Sequence, residues 1–144
     1  MWDSLFILTN AIAFAGWAML AFLPRKPMVM ASILFFGVGI LCLAYTVMFA
    51  VQATAIVSGD FTSIEGIRSL FASDGGIVLG WTHYLAFDLF IGQWIARDAD
   101  NKGFHRLFQL PFLFLTLMAG PIGLLLWLFV RESRARALAR QAAA

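Results

Sequence analysis

The chain has 144 residues, of which 62% are hydrophobic and 12% are charged, and its formal net charge is only +2. Its mean hydropathy of +0.87 excludes an ordinary soluble domain, and the mixture of charge signs gives no basis for nucleic-acid binding. We therefore expect one integral, multi-pass membrane domain over residues 1–144, because apolar segments of roughly 20 residues each take up most of this length.

Four apolar runs are each long enough to cross a membrane. Hydrocarbon offers no hydrogen-bond partner to a free backbone, so runs of this length must form helices. The predicted fold class is all-α, a four-transmembrane-helix bundle. Its helices cover residues 5–23, 29–57, 77–96 and 107–130, and a basic tail follows at 131–144.

The first run begins with no lysine or arginine before its apolar stretch. This start argues against a cleaved signal peptide, so we expect the run to remain as a helix. With no transit segment ahead of it, the chain is expected in a bacterial inner membrane. The run also carries Asn10, whose amide is a candidate partner for a polar group on another helix.

The second run is too long for a perpendicular crossing, since about 29 residues at about 1.5 Å each exceed a hydrocarbon core of roughly 30 Å. It must tilt, bend or protrude, and Gly37 and Gly39 are candidate flexible points. Cys42 is the single cysteine, so no disulfide can form within one chain and a packed hydrophobe is expected.

An interfacial helix is predicted between the second and third runs, at about residues 63–72. Thr62 and Glu65 have capping-box spacing, and apolar residues from Ile64 to Phe71 share one face. Two roles are open for this helix. It is either a connector lying on the membrane surface or a lid over a lipid-facing pocket.

The third run carries His83 and Asp88 inside an otherwise apolar helix. A charge near the bilayer centre costs about 2.5 to 3.5 kcal/mol, so an acid there is a site hypothesis by default. The helical period separates the two side chains by about 140°, which argues against a shared metal ion. Asp88 shares its stripe with Trp81 and Tyr84, whereas His83 shares its stripe with Phe87 and Trp94.

Each polar residue has more than one reading. Asp88 either hydrogen-bonds between helices or acts as a general acid, with Asn10 and Gln52 as the best partners. His83 serves in a structural hydrogen bond, in acid/base or substrate contact, or as a haem or metal ligand. In the fourth run, Gly120-Pro121-Ile122-Gly123 predicts a kink that frees the Leu117 carbonyl.

The ends of the helices give less decisive signals. Trp81 and Trp94 are typical of an interfacial belt, and Asp98 lies in a polar turn after the third run. For four spans the lysines and arginines divide equally between the two sides, so the positive-inside rule gives no orientation. The arginine-rich tail is expected to contact anionic lipid headgroups, and a homo-oligomer is compatible with the sequence.

A family resemblance rests on the third and fourth runs. The pattern Trp81-x-His83-x-x-Ala86-x-Asp88-Leu89-Phe90-x-Gly92-x-Trp94, then Asp98 and Gly120-Pro121-x-Gly123, resembles the neoxanthin-synthase-like, abscisic-acid-deficient type of membrane protein. The resemblance implies a small four-helix membrane protein that acts on an epoxycarotenoid without a redox cofactor. The plant relatives carry a histidine where Trp127 lies in this chain, which leaves the substrate open.

The expected function is therefore acid/base isomerisation of a carotenoid or other isoprenoid, with no metal and no cofactor. His83 and Asp88 are the predicted catalytic residues. The alternative is a non-catalytic lipid- or pigment-binding membrane subunit or assembly factor. The residues predicted to line the apolar groove are Trp81, Tyr84, Phe87, Trp94 and Asn10.

Overall fold

The computed structural model describes residues 1–142, and it describes the side chains of residues 1–136. Within this part the fold is all-α, as predicted, with six helices. In chain order they are α1 (Trp2–Phe22), α2 (Pro27–Val51), α3 (Ala53–Val57), α4 (Ile64–Leu70), α5 (Asp74–Asn101) and α6 (Arg106–Ala142).

The second run is not one regular α-helix. Residues Ile33–Gly39 of α2 form a π-helical stretch, and the helix then breaks at Gln52, whose φ is −103° and ψ is 9°. Gly37 lies in the π-helical stretch, where a Cβ would stand 3.1 Å from the Leu89 side chain of α5. The irregular turn thus lies where α2 makes a close contact with α5.

The core lies where α1, α2 and α5 meet. Leu20, Ile33, Leu41 and Leu89 come from these three helices and are fully buried. Glycine allows the closest approach, because a Cβ on Gly92 of α5 would overlap the six-membered ring of Trp17. α5 is thus the central helix, with its neighbours fixed on two sides.

α6 folds back on itself instead of continuing as one straight helix. Ala119 has a non-helical backbone, with φ −153° and ψ 51°. The rings of Phe112 and Trp127 lie 5.5 Å apart, whereas a straight helix would separate these positions by about 22 Å. The kink predicted at Gly120-Pro121 is therefore a complete reversal, and α6 is a helical hairpin with its tip at residues 119–121.

Three helical segments are long and apolar enough to cross a membrane, judged within the described residues by length and composition: Trp2–Phe22, Pro27–Val51 and Arg106–Arg136. They indicate an integral membrane protein. α5 is not among them, and the third segment is the one that reverses at Ala119. The predicted bundle of four spanning helices is therefore not confirmed.

A helix, α4, is present where the interfacial helix was predicted, but its cap differs from the expectation. Ser63, not Thr62, accepts a hydrogen bond from the backbone of Gly66, at 3.0 Å. Thr62 instead donates its hydroxyl to Asp60 at 2.6 Å, and Glu65 pairs with Arg68. The capping-box prediction was wrong by one residue, because the Asp60 carboxylate holds Thr62 outside the helix.

Candidate functional site

A cavity of about 480 Å³ lies where the end of α2 meets the start of α5. Residues 58–73, which we call the strap, contribute to its wall. Most of the lining is apolar. The polar side chains that line it are Tyr45, Gln52, Ser58, Ser69, Ser73 and His83.

The strap packs against α5 at Gly80, which has no side chain to block the contact. A Cβ on Gly80 would overlap the ring of Phe71, so this ring lies directly against the α5 backbone. Gly80 is three residues before His83, almost one helical turn away. On the α2 side, the Gln52 amide donates to the Met48 and Gly75 carbonyls, each at 3.3 Å.

His83 lines this cavity within a group of aromatic rings. Its imidazole stacks on Phe87 with ring centroids 4.5 Å apart. The Tyr45 ring of α2 lies 5.6 Å away, and the Tyr84 ring meets the imidazole edge-on at 6.3 Å. The side chain is exposed and accepts or donates no hydrogen bond within the described residues. Its ring nitrogens are therefore available to a bound molecule.

A second, almost wholly apolar cavity of about 430 Å³ continues along the same two helices. It is lined from α2 by residues between Leu34 and Cys42 and from α5 by Ala86, Phe87 and Phe90. The two cavities are adjacent at Phe87, which lines the second cavity and stacks on His83 of the first. From Gly76 to Phe90 the combined groove follows α5 for about 21 Å.

Asp88 lies on a different side of α5 from His83. Its carboxylate touches Gly120 at the tip of the α6 hairpin, where a Cβ would overlap it. The side chain is half-buried and has no hydrogen bond within the described residues. It is not among the residues that line either cavity. His83 and Asp88 therefore do not share one pocket.

The partners proposed for Asp88 are used elsewhere. Asn10 accepts a hydrogen bond from the Trp81 indole at 3.2 Å and donates to the Phe6 carbonyl at 2.7 Å. Gln52 bonds main-chain carbonyls at the cavity. The expectation that either amide would hold Asp88 was wrong, because Asn10 faces the first turns of α5 and Gln52 lies at the end of α2.

Of the residues predicted to line a groove, Phe87 and Tyr84 lie beside His83. Trp81 pairs with Asn10 on the α1 side of α5. The Trp94 ring lies under the Arg131 guanidinium, 5.5 Å from its carbon to the ring centroid. Trp81, Trp94 and Asn10 thus line neither of these two cavities.

Asp98 forms the centre of a polar cluster at the opposite end of α5. Its carboxylate accepts from Arg131 at 2.8 and 2.9 Å, from the Trp127 indole at 3.0 Å and from Lys102 at 2.6 Å. These donors lower the pKa of Asp98 to about 2, with Arg131 contributing most. The polar turn expected here is a hydrogen-bonded network that holds the second half of the α6 hairpin to α5.

A second ion pair reinforces this end. Arg25, in the turn between α1 and α2, donates to Asp100 at 2.8 Å and to the Ala96 carbonyl at 3.2 Å. Gln109 accepts from Arg25 and donates to Asp100 at 2.9 Å. Only 5% of the Arg25 side chain is exposed, and this burial lowers its pKa from the ordinary value. These bonds thus connect the α1–α2 turn, the end of α5 and the start of α6.

Sequence reasoning did not assign a site role to Tyr45 or to Phe71. Tyr45 is the only tyrosine of the second apolar run, and this was the available signal. No pattern could indicate Phe71, because its place at Gly80 depends on the path of the strap. Within the described residues, no three His, Cys, Asp or Glu side chains lie close enough together to hold a metal ion.

Comparison with known families gives one clear result. The protein-family model described as ABA DEFICIENT 4-like matches residues 4–127. This range includes both cavities, Asp88, the hairpin tip and Trp127, so it extends well beyond the third and fourth runs, which carry the resemblance in sequence. No curated protein and no solved structure matches the chain.

Proposed function

Because this chain belongs to the ABA DEFICIENT 4-like family, we propose that it binds a carotenoid or other isoprenoid in the groove between α2 and α5 and isomerises it. The observation that carries this proposal is the position of His83. Its imidazole lines the cavity of about 480 Å³ and stacks on Phe87, which lines the apolar cavity of about 430 Å³. A long apolar molecule lying in both would pass directly beside a titratable side chain.

The chemistry needs one proton donor and one base. Opening an epoxide beside a polyene and forming an allene moves a proton from carbon to the epoxide oxygen, so the product has the composition of the substrate. We assign proton removal to the imidazole of His83 and protonation of the oxygen to the hydroxyl of Tyr45. Their rings are 5.6 Å apart and line the same cavity.

Asp88 has a different role in this proposal, although the sequence predicted it as the second catalytic residue. Its carboxylate touches the α6 hairpin at Gly120 and is absent from the lining of the two cavities. It therefore acts through the hairpin tip and does not contact the substrate. Replacing it is expected to disturb the packing of α6 before it disturbs the reaction.

The groove requires α5 to lie within the bilayer with α1 and α2. We propose that it crosses, since its 28 residues reach about 42 Å against a core of roughly 30 Å. Two of its internal polar side chains have hydrogen-bond partners that lower the cost of insertion. Gln93 donates to the Met30 carbonyl of α2, and Thr82 donates to the Val78 carbonyl at 2.8 Å.

The proposal is tested by expressing the full chain in carotenoid-producing cells and analysing the pigments by chromatography. A new isomer is expected with the unaltered chain and with Asp88→Asn, provided that variant folds. The isomer is expected to be lost with His83→Gln and strongly reduced with Tyr45→Phe. Thermal unfolding in detergent identifies variants that merely fail to fold.

The chain offers matched controls, because it has two histidines and two tyrosines. His105→Gln and Tyr84→Phe change the same residue types outside the lining of the His83 cavity and should leave the pigment profile unchanged. If His83→Gln retains both fold and product, His83 is not the base. If pigment co-purifies unchanged with every folded variant, the chain is a non-catalytic pigment-binding subunit.

A further inference from the structure

The reversal of α6 moves the basic tail to the other end of the molecule. In a four-span bundle, residues after 130 would lie on the same side as the strap. In the structure, Arg131 instead bonds Asp98 at the end of α5, and Arg134 donates to the Lys102 carbonyl at 3.2 Å. A Cβ on Gly123 would overlap Thr116, which also requires antiparallel halves within α6.

Neither half of the hairpin has an apolar stretch long enough to cross the bilayer alone, since the second half has only 11 residues between Ala119 and Arg131. From Arg106 to the turn at Ala119 the first half has 13 residues, which reach about 20 Å against a hydrocarbon core of roughly 30 Å. Stretches of this length are typical of re-entrant segments. The broken backbone at the tip is permitted because it packs against protein, with Asp88 of α5 in contact with Gly120.

The fold-back gathers the cations on one surface. Arg131, Arg134 and Arg136 join the five lysines and arginines of segments 24–26 and 97–106. We call this surface the basic face. It holds eight of the nine lysines and arginines whose side chains are described, and the strap at the other end holds only Arg68. Four straight spans would divide the lysines and arginines equally between the two sides of the membrane, whereas the fold-back places nearly all of them on one side.

We infer that the chain crosses the membrane three times, that α6 enters and leaves on the side of the basic face, and that this face lies against the anionic headgroups of the cytoplasmic leaflet. An excess of lysine and arginine in short loops marks the cytoplasmic side. The negative surface of that leaflet attracts lysine and arginine side chains that lie close to it. The His83 cavity and its strap then lie at the opposite membrane surface.

The inference is tested by labelling single cysteines in intact cells with a membrane-impermeant thiol reagent. The background is the full chain carrying Cys42→Ser, which has no other cysteine. Ser4→Cys and Thr62→Cys should react from outside. Asn101→Cys and Ser133→Cys should react only after the membrane is permeabilised.

Ser133 is the deciding position, because both topologies place the other three residues in the same two groups. Four straight spans would put Ser133 with Ser4 and Thr62, whereas three crossings put it with Asn101. Labelling of Ser133→Cys on the side of Ser4→Cys overturns the re-entrant hairpin. If Asn101→Cys and Ser133→Cys both label from outside and Ser4→Cys does not, the hairpin stands and the orientation is wrong.

A charge exchange checks the hairpin without cysteines. Asp98→Arg alone should lower the unfolding temperature in detergent, and addition of Arg131→Asp should restore most of it, because the two side chains touch. In a straight last helix these residues would be at opposite membrane surfaces. Failure of the second substitution to rescue the first would then count against the fold-back, whatever the outcome of the pigment assay.

Discussion

The two ends of α5 are closed in opposite ways. At the basic face, the carboxylates of Asp98 and Asp100 accept two or more hydrogen bonds each and connect the α1–α2 turn, α5 and α6. At the strap, contacts are apolar and rest on glycine, with Phe71 against Gly80, and a cavity of about 480 Å³ remains. The difference indicates that stability is concentrated at the basic face, which leaves the strap free to open for a ligand.

Removal of the Asp98 carboxylate should cause the largest loss of stability, because it breaks the hydrogen-bonded network at the basic face. Asp98→Ala leaves Arg131, Lys102 and the buried Trp127 indole without their shared acceptor. Breaking such a partly buried network is expected to cost about 3 kcal/mol. Thermal unfolding in detergent should show a large fall in the midpoint.

The matched control lies at the other end. Glu65→Ala removes an exposed carboxylate whose partner is Arg68 on the same short helix. Exposed pairs contribute about 0 to 1 kcal/mol, so the unfolding midpoint should hardly move. Equal losses in the two variants would show that the basic face is not the more stable region.

Acid should weaken the basic face over a defined pH window. The pKa of Asp98 is about 2 in the folded chain, below its ordinary value of 3.8. Its stabilisation is therefore complete above about pH 4 and is lost as the pH falls through about 2, with a total on the order of 2 kcal/mol. Unfolding midpoints measured across this window should fall more steeply for the unaltered chain than for Asp98→Asn.

The carboxylate of Asp60 provides the control for that titration. Hydrogen bonds from Ser63 and Thr62 also lower its pKa to about 2, but it lies in the exposed strap. Asp60→Asn should leave the acid dependence of global unfolding nearly unchanged. If it flattens the curve as much as Asp98→Asn does, the acid sensitivity does not belong to the basic face.

The same substitution at two glycines of α5 distinguishes the contribution of the core to stability from that of the strap. A Cβ at Gly92 overlaps the buried Trp17 ring, whereas a Cβ at Gly80 overlaps the Phe71 ring of the strap. Gly92→Ala should cost about 1.5 kcal/mol, since the core cannot shift freely. Gly80→Ala should cost less globally but increase proteolytic cleavage within residues 58–73, because the strap can move away.

The helices could be predicted from composition, but the connection between them at the basic face could not. The apolar runs determine the α-helical class, because a backbone exposed to lipid must form all its hydrogen bonds within its own segment. The helical period also separated His83 from Asp88 correctly. The role of Asp98 depends on the reversal at Ala119, which brings Arg131 back across 33 residues of sequence. Pro121 signalled a kink, but no local pattern determines how far a kinked helix turns.

The smallest predicted effect concerns the cap of α4. The Ser63 hydroxyl accepts from the Gly66 backbone, and Ser63→Ala removes that bond at a cost of about 1 kcal/mol to the local helix. Because α4 contributes no residue to the buried core, amide exchange should accelerate in residues 64–70 while the global unfolding midpoint stays within error. Thr62→Ala is the control, since Thr62 bonds Asp60 and not the helix. An equal fall in protection at the basic face would show that the two ends of α5 unfold together and that the strap has no independent opening.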